Sequence, residues 1–469
     1  MRDRLMTAPP RDANGTRAAG RHPAVSLDAF HQWWADRHRD GRFHVERIPF
    51  ADLDSWSFES DTGNLAHSSG RFFTVEGLQV RDNLLETWSQ PIINQPEIGI
   101  LGIVVKEFDG VLHCLMQAKM EPGNVNTLQL SPTVQATRSN YTQVHRGMST
   151  RYLEYFIGPG RGQILVDVLQ SEQGAWFWRK RNRNMVVLVT EDIPVHDDYH
   201  WLTVEQIREL NHVDNLVNMD ARTVLSCMPL PLPDESHLPT GDPFRDALIR
   251  SCQYQQDGVE TRHTSGEVLS WFTEAKTRCH WTARLTPLAK ISGWNRDESE
   301  IADEHGRHFR IVAVGVEAGT REVQRWTQPL LLPRGQGRAV FMVRNVAGVL
   351  HVLVQARPEY GLMDQVEMAP TVHLLPGTEV SAVAEPFLRD VLTSRTAKVH
   401  YDQVLSEEGG RFLNALTRYQ ITEVGEEVPL ETPRNYCWMT IRQLMDLLRH
   451  GHYLNIEARS LLTCLHSLY

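Results

Sequence analysis

The chain of 469 residues carries 48 basic against 58 acidic side chains, a formal net charge of −10, and is 41% hydrophobic. That length and apolar share suffice for two substantial cores. The negative balance argues against nonspecific binding to nucleic acid or anionic membrane, so local arginines must hold any anionic ligand. No apolar run approaches the roughly 18 residues that span a bilayer.

Residues 1–24 are rich in Arg, Gly and Pro, lack an apolar stretch, and are expected to be a disordered lead. Ser26 then caps a helix predicted over 27–37, with Phe30, Trp33 and Trp34 on one face. Strands are predicted at 99–105 and 111–117 around the turn Phe108-Asp109-Gly110, and again at 164–170 and 185–189. A helix beginning near Thr203, with Ile207 and Leu210 buried, follows these strands. Prolines 229, 231, 233 and 239 mark a linker.

The second half repeats this order. One 238-residue offset relates Trp88-x-Gln90-Pro91 to Trp326-x-Gln328-Pro329, and Gly110-Val-Leu-His113 to Gly348-Val-Leu-His351. It also relates Gln117-Ala-Lys119 to Gln355-Ala-Arg357, and Pro132-Thr-Val134 to Pro370-Thr-Val372. Later matches slip to 235 (Ser171-Glu172-x-Gly174 to Ser406-Glu407-x-Gly409) and 237 (Asn218-x-Asp220-Ala-Arg222 to Asn455-x-Glu457-Ala-Arg459), as loop insertions and deletions would produce. In the second copy Ser265 is the expected cap of the first helix, and strands are predicted at 339–343 and 349–355. A last helix should start near Thr440 and bury Leu444 and Leu447. The period is domain-sized, so we expect two α+β domains in tandem, 25–228 and 263–469, joined by a linker at 229–262.

The six cysteines form no C-x-x-C pair, and Cys227 and Cys464 occupy matching positions where a small buried side chain is expected. These features fit a reduced, cytoplasmic protein. The chain has no G-x-G-x-x-G after a strand, no Walker A loop, no H-E-x-x-H and no G-x-S-x-G. The commonest nicotinamide, nucleotidase and hydrolase readings therefore fall away.

Three stretches are more polar than a core requires. Gln117-Ala-Lys119-Met-Glu121-Pro-Gly-Asn124 ends a predicted strand, where a rigid frame can present an acid and a base; a surface ion pair at a turn has the same spacing. Residues 130–141 are dense in hydroxyl and amide groups with Arg138 and Tyr141, and suit a hydroxylated anionic ligand or a hydrogen-bonded loop. Residues 171–183 place Trp176 and Trp178 beside a basic run, fit for stacking a base or for a solvated strand edge. His145 beside Arg146 is open between structural and catalytic roles.

Taken together, these motifs resemble the NDP-hexose 2,3-dehydratases of deoxysugar biosynthesis. The likeness rests on Gln117–Asn124, Leu130–Tyr141 and Ser171–Gly174, with degenerate versions at Gln355–Glu359 and Met368–Val372, and spans about residues 26 to 465. It implies a duplicated Nudix-like α+β fold; this chain lacks the glycine-led R-E-x-x-E-E box that binds metal for diphosphate hydrolysis, a departure that speaks against such hydrolysis. The implied substrate is a dTDP-4-keto-6-deoxyhexose that loses its C2 hydroxyl as water, without cofactor or metal. The resemblance also implies a homodimer, and an NADPH-dependent 3-ketoreductase that consumes the product.

On this reading Lys119, Glu121, Tyr141 and His145 are the acid–base candidates. Trp88 would stack thymine, and Arg138 or Arg151 would meet the diphosphate. Gln117, Asn124, Thr133, Gln135, Ser139 and Asn140 would line the sugar or ribose, with Glu172 and Trp176 as further ligand contacts. The second copy offers Trp326, Gln355, Arg357, Glu359 and Thr371. There Arg357 replaces Lys119, and arginine holds its proton too firmly to be a neutral base, so that pocket is expected to bind without catalysing. A metal-dependent nucleotide-sugar hydrolase and a non-catalytic nucleotide-sugar binder are the rival readings.

Overall fold

The computed structural model describes residues 26–81, 86–137, 150–158, 160–229, 238–253, 261–319, 324–394 and 396–469. The expected lead at 1–24, and Arg138, Ser139, Asn140, Tyr141 and His145, lie outside the described residues.

Each repeat is built on a seven-stranded mixed sheet. In the first, the strands run in the order Gln163–Ser171, Arg181–Leu188, Gly99–Phe108, Val111–Met120, Tyr199–Thr203. Among these strands Arg181–Leu188 and Gly99–Phe108 pair in parallel; the short strands Leu128–Ser131 and Val134–Ala136 pair antiparallel with Val111–Met120 and Gly99–Phe108. The second repeat has the same order, from Lys398–Ser406 through Leu416–Glu423, Gly337–Val346 and Val349–Pro358 to Tyr436–Thr440. The hairpin turns form as the sequence suggests: Asp109 and Gly110 both have positive φ (50° and 77°), as do Ala347 and Gly348 (51° and 88°). Two successive left-handed residues match the twist of the flanking strands, and glycine meets the second at no steric cost.

The repeats are not side-by-side beads. Each of the two smaller sheets borrows a strand from the other copy. Phe43–Ile48 of the first repeat pairs antiparallel with Phe309–Ala318, and Thr282–Thr286 of the second pairs antiparallel with Thr74–Arg81. A shared core joins Phe50, Trp56, Phe73 and Phe177 to Phe309, Leu331 and Phe412. The single-copy reading of the sequence missed this exchange because a periodic pattern reports which face of a strand is buried, not which copy supplies its neighbour.

Several boundaries also differ. The cap of helix Ser265–Thr277 is Thr264, which closes a capping box with Glu267; Ser265 is the first helical residue. On helix Ile441–Leu447, Leu444 is buried but Leu447 is only half-buried, and Leu448 just beyond the helix takes the core position. Pro243–Cys252, in the stretch read as linker, is a helix that packs Phe244 and Leu248 into the second repeat's core. Asn218 and Asn455 cap two further helices, Met219–Cys227 and Ile456–Leu465, which pack against each other across the junction. All six cysteines are free; Cys464 is buried and Cys227 half-buried. No helix among the described residues is long and apolar enough to cross a membrane.

Candidate active site

Strand Val111–Met120 carries Lys119 at its penultimate position, and Glu121 begins the turn beyond it. Alternation would send these two residues to the same face, and their charged ends meet: Lys119 Nζ lies 3.3 Å from Glu121 Oε1. Glu121 is 6% exposed, so its charge needs partners. Gln135 Nε2 donates to the same Oε1 at 2.9 Å. Gln135 is itself held, its Oε1 accepting from Ser131 Oγ (3.0 Å) and Asn218 Nδ2 (3.4 Å). An ammonium, a carboxylate and an amide are thus fixed by three strands and a helix cap.

The other copy closes the site. Gly123 N–H donates to Gly409 O, and Asn414 N–H donates to Gly123 O, both at 2.7 Å. Those bonds lay the Glu-Pro-Gly-Asn turn of the first repeat on the Ser406–Gly410 loop of the second. A Cβ on Gly409 would stand 2.0 Å from Asn124 Oδ1 and 3.0 Å from Glu121 Cβ, so only glycine admits this approach. Half-buried Glu408 follows, its carboxyl pushed up chiefly by burial and then by Glu121, against the pull of Arg411, Lys180 and Lys119. Asp220, in the first turn of Met219–Cys227, is 3% exposed and held well above the usual carboxylate range by burial, then by Glu408, Glu172 and Glu121.

The cluster extends to Glu172 and Lys180. Burial, with Glu408 beside it, lifts Glu172 to about 8, although Asn182 Nδ2 donates to its Oε1 at 2.7 Å. Burial likewise lowers Lys180 to about 8. A raised carboxyl favours the folded state fully below its ordinary value of 4.5 and loses that contribution as pH climbs through 8. A depressed ammonium contributes above its ordinary 10.5 and loses its contribution as pH falls through 8, so it does not offset the loss below 8. The Glu172 share of stability should therefore decline from pH 5 to 8, while buried histidines such as His200 and His466, lowered by burial, gain over the lower part of that range. The gap between wild type and Glu172→Gln, which keeps the neutral shape, isolates the Glu172 share in a thermal-melt series.

The second repeat has a parallel cluster with different chemistry. Arg357 Nε is 3.4 Å from Glu359 Oε1, and Arg357 Nη1 donates to His373 O at 3.0 Å. His373 occupies the position of Gln135, and Glu457 that of Asp220. Gly174 N–H of the first repeat donates to Glu359 Oε2 at 3.0 Å, so this cluster too is completed by the other copy. Burial pushes Glu457 well up, with Glu359 and Glu407 adding to it. Glu359 runs the other way, lowered by His373 and Arg357 against its own burial.

Two arginines act as struts for both clusters. Arg222 and Arg459 are fully buried in the paired helices. Arg222 Nη2 donates to Ser406 O at 2.9 Å, and Arg459 Nη2 donates to Ser171 O. Each thereby holds the Ser-Glu-x-Gly loop that completes the opposite copy's neighbouring cluster.

Of the residues singled out from the sequence, Lys119, Glu121, Asn124 and Gln135 come together, with Glu172 on the far side of the same charge cluster. Gln117, half-buried, lines a crevice of about 130 Å³ with Arg37, Asp40, Lys119, Met120 and Asp198. That is well below the 300–1,000 Å³ of a typical ligand pocket, so it holds part of a ligand at most. Thr133, expected at the sugar or ribose, and Thr371, expected in the second pocket, are fully buried; each hydroxyl accepts a backbone N–H (Val104 or Met342, 2.9 Å) and donates to a backbone carbonyl. Their bonding capacity is spent on the sheet frame.

Trp88 meets Tyr360 edge-on at 4.8 Å in an apolar cluster with Trp178 and Leu285. Trp176 is buried against Phe412, edge-on at 4.6 Å, at the junction of the copies. Arg151 is exposed beside Tyr152, and half-buried Trp326 donates to Gln328 Oε1 at 2.9 Å. Gln355 is half-buried on its strand, between Tyr436 and Ala369. Sequence reasoning passed over Asp220, Glu408, His373 and Glu457 as chemistry. The available signal was an acid repeated at the same place, two residues before a repeated arginine, in two matching helices, Asn218-x-Asp220-Ala-Arg222 and Asn455-x-Glu457-Ala-Arg459.

Comparison with known proteins adds to this geometry. A family model described as NDP-hexose 2,3-dehydratase matches residues 27–228 and 265–465. A protein of Saccharopolyspora spinosa named dTDP-4-dehydro-6-deoxy-alpha-D-glucopyranose 2,3-dehydratase is 52% identical over 95% of this chain and 92% of its own. Proteins of the same name from Amycolatopsis orientalis (93% and 89% covered) and Streptomyces violaceoruber (94% and 97%) are each 48% identical. Among solved structures, C. elegans Ap4A hydrolase is similar at a TM-score of 0.17 and 13% identity, over 24% of this chain and 86% of that one. That likeness is too slight to carry the fold, which rests on the sheets and helices above.

Proposed function

The chain belongs to the NDP-hexose 2,3-dehydratase family, and from that premise we propose how its residues perform the reaction. It is a lyase acting on dTDP-4-keto-6-deoxy-D-glucose. The C4 ketone acidifies the C3 hydrogen, which a general base removes to leave an enolate. The enolate re-forms the C4 carbonyl and pushes electrons into a C2=C3 double bond, expelling the C2 hydroxyl, which leaves as water with a proton from a general acid. The resulting C3 enol tautomerises to the 3,4-diketo-2,6-dideoxy sugar. One water is lost and no net redox change occurs, so no step calls for a nicotinamide.

The observation that carries the assignment of residues is the Lys119–Glu121 pair, 3.3 Å apart and locked by Gln135. Glu121 supplies the electron pair that takes the C3 proton. Lys119 supplies the positive charge that steadies the enolate and the proton that leaves with the hydroxyl. Tyr141 and His145 remain candidates for the same proton traffic from the 138–149 segment. The substrate is a dTDP-linked ketosugar, and its product is a reactive diketone that an NADPH-dependent 3-ketoreductase would consume.

The test is to incubate the chain with dTDP-4-keto-6-deoxyglucose, such a reductase and NADPH, and follow NADPH loss and product mass. The expected product has lost one water and gained two hydrogens. Release of dTMP or sugar phosphate that stops with EDTA would establish a hydrolase instead. Tight dTDP binding with unchanged ketosugar would establish a non-catalytic binder.

A further inference from the structure

The two equivalent clusters differ in one physical respect that the dehydration does not use. In the first repeat, Gln135 closes the gap between strand and helix with direct hydrogen bonds to Glu121, Ser131 and Asn218. In the second, His373 stands in the same place and closes nothing. Its Nδ1 is 3.6 Å from Glu359 Oε1, and its Nε2 is 3.7 Å from Glu457 Oε1, both beyond hydrogen-bond range. His373, Glu359 and Glu457 are 7%, 5% and 4% exposed, and His373 Nδ1 and Glu457 Oε2 have no hydrogen-bond partner. Buried polar atoms left open in this way ask for an occupant.

We propose that Glu359, His373 and Glu457 bind a divalent transition ion, with zinc the best match. One imidazole nitrogen and one oxygen from each carboxylate lie within 4.8 Å of one another. Around a tetrahedral zinc with ligands at 2.0–2.1 Å, donors sit roughly 3.4 Å apart, so small side-chain rotations gather the set. Nδ1 is buried and unpartnered, and each ring nitrogen faces one of the two carboxylates, so either can turn to the ion. One nitrogen and two carboxylates suit zinc or manganese better than calcium or magnesium, which prefer all-oxygen shells. Two carboxylates also offset a divalent charge in a site water barely reaches, with Arg357, 3.4 Å from Glu359 Oε1, as the neighbouring cation.

An orienting outer shell is already in place. Glu359 Oε2 accepts from Gly174 N–H of the first repeat (3.0 Å), and Glu359 Oε1 accepts from Asn455 Nδ2 (3.4 Å). Arg357 fixes the His373 carbonyl. Such partners hold ligands in register for a metal. The ion would tie a strand end, a short strand and a helix of the second repeat to a loop of the first, a junction role separate from the Lys119 chemistry.

The experiment is elemental analysis of tag-free full-length protein grown with added zinc and dialysed, followed by Zn²⁺ and Mn²⁺ titration of the EDTA-stripped chain with melting curves. Wild type should carry about one ion per chain, and Zn²⁺ should raise its melting temperature. His373→Gln installs the residue the fold already accommodates in the first repeat, so it should fold normally, lose at least about tenfold in bound metal and show no Zn²⁺-dependent shift. Glu457→Gln should behave likewise, whereas Gln135→Ala should keep the ion. A wild-type chain that neither retains nor takes up Zn²⁺ or Mn²⁺, or a folded His373→Gln that keeps a full ion, overturns the proposal. Metal content is read without turnover, so the dehydratase assignment stands or falls separately.

Discussion

Glu121→Gln should lower kcat for dehydration by roughly 10²–10⁴-fold, and Lys119→Met by a comparable factor, because each removes one member of the proposed acid–base pair. The amide at position 121 keeps the shape and can still meet Gln135, but it has no carboxylate electron pair for the C3 proton. At position 119 the methionine fills the same space without charge, so neither the enolate nor the departing hydroxide is stabilised. Lys119 is only 17% exposed at its side chain and its partner Glu121 is buried, so Lys119→Met also leaves a carboxylate without its cation and costs stability. A melting temperature near wild type for Glu121→Gln, and rates for Lys119→Met taken well below its own melting point, would confirm that the loss is chemical. Arg357→Met, at the equivalent position, should retain activity to within about tenfold, since an arginine holds its proton too firmly to hand it to a departing hydroxyl near neutral pH. Steady-state rates in the coupled assay decide the matter: if Arg357→Met abolished turnover while Lys119→Met kept it, the chemistry would belong to the second repeat.

Much of this arrangement was legible in the sequence, for an identifiable reason. The 238-residue echo and the turn signal between 99–105 and 111–117 can be read from the chain alone, and the structure places strands and hairpin where they put them. Lys119 and Glu121 could be singled out because a strand end fixes neighbours two residues apart on one face. What stayed hidden were contacts between distant segments. Nothing local to Phe43–Ile48 says that its ladder partner is Phe309–Ala318, and nothing in Thr133 says that its hydroxyl is consumed by two backbone groups. Asp220 was passed over because an acid in the first turn of a helix ordinarily reads as a response to the helix dipole. Only the packing of that helix against the other copy buries it. The histidine at 373 looked like a degraded glutamine position until its two carboxylate neighbours, Glu359 and Glu457, were brought up from either side.

The cross-copy contacts make a second large effect. Gly123→Ala should destabilise the protein by about 3 kcal/mol or more, lowering the melting temperature by roughly 6–12 °C, and Gly361→Ala should do nearly the same. A Cβ on Gly123 would stand 1.8 Å from Phe412 O, and one on Gly361 would stand 2.0 Å from Phe177 O. Both obstacles are backbone, so no side chain can swing aside. The loops can part only by giving up the bonds between them, Gly123 N–H to Gly409 O (2.7 Å) on one side and Gly361 N–H to Gly174 O (2.8 Å) on the other. Each lost bond adds about 1 kcal/mol to the overpacking. Gly266 is the control: it lies near the start of helix Ser265–Thr277, a Cβ there meets nothing within 4 Å, and Gly266→Ala should leave the melting temperature unchanged or slightly raised. The two latches should differ in activity. Gly123→Ala displaces the turn that carries Glu121, so turnover should fall even well below its melting point, whereas Gly361→Ala should lose stability first and turnover less. Equal loss of turnover in both variants at low temperature would mean that the two clusters act as one catalytic unit. A melting temperature unmoved by either substitution would mean that the loops do not meet as closely as 1.8 and 2.0 Å require.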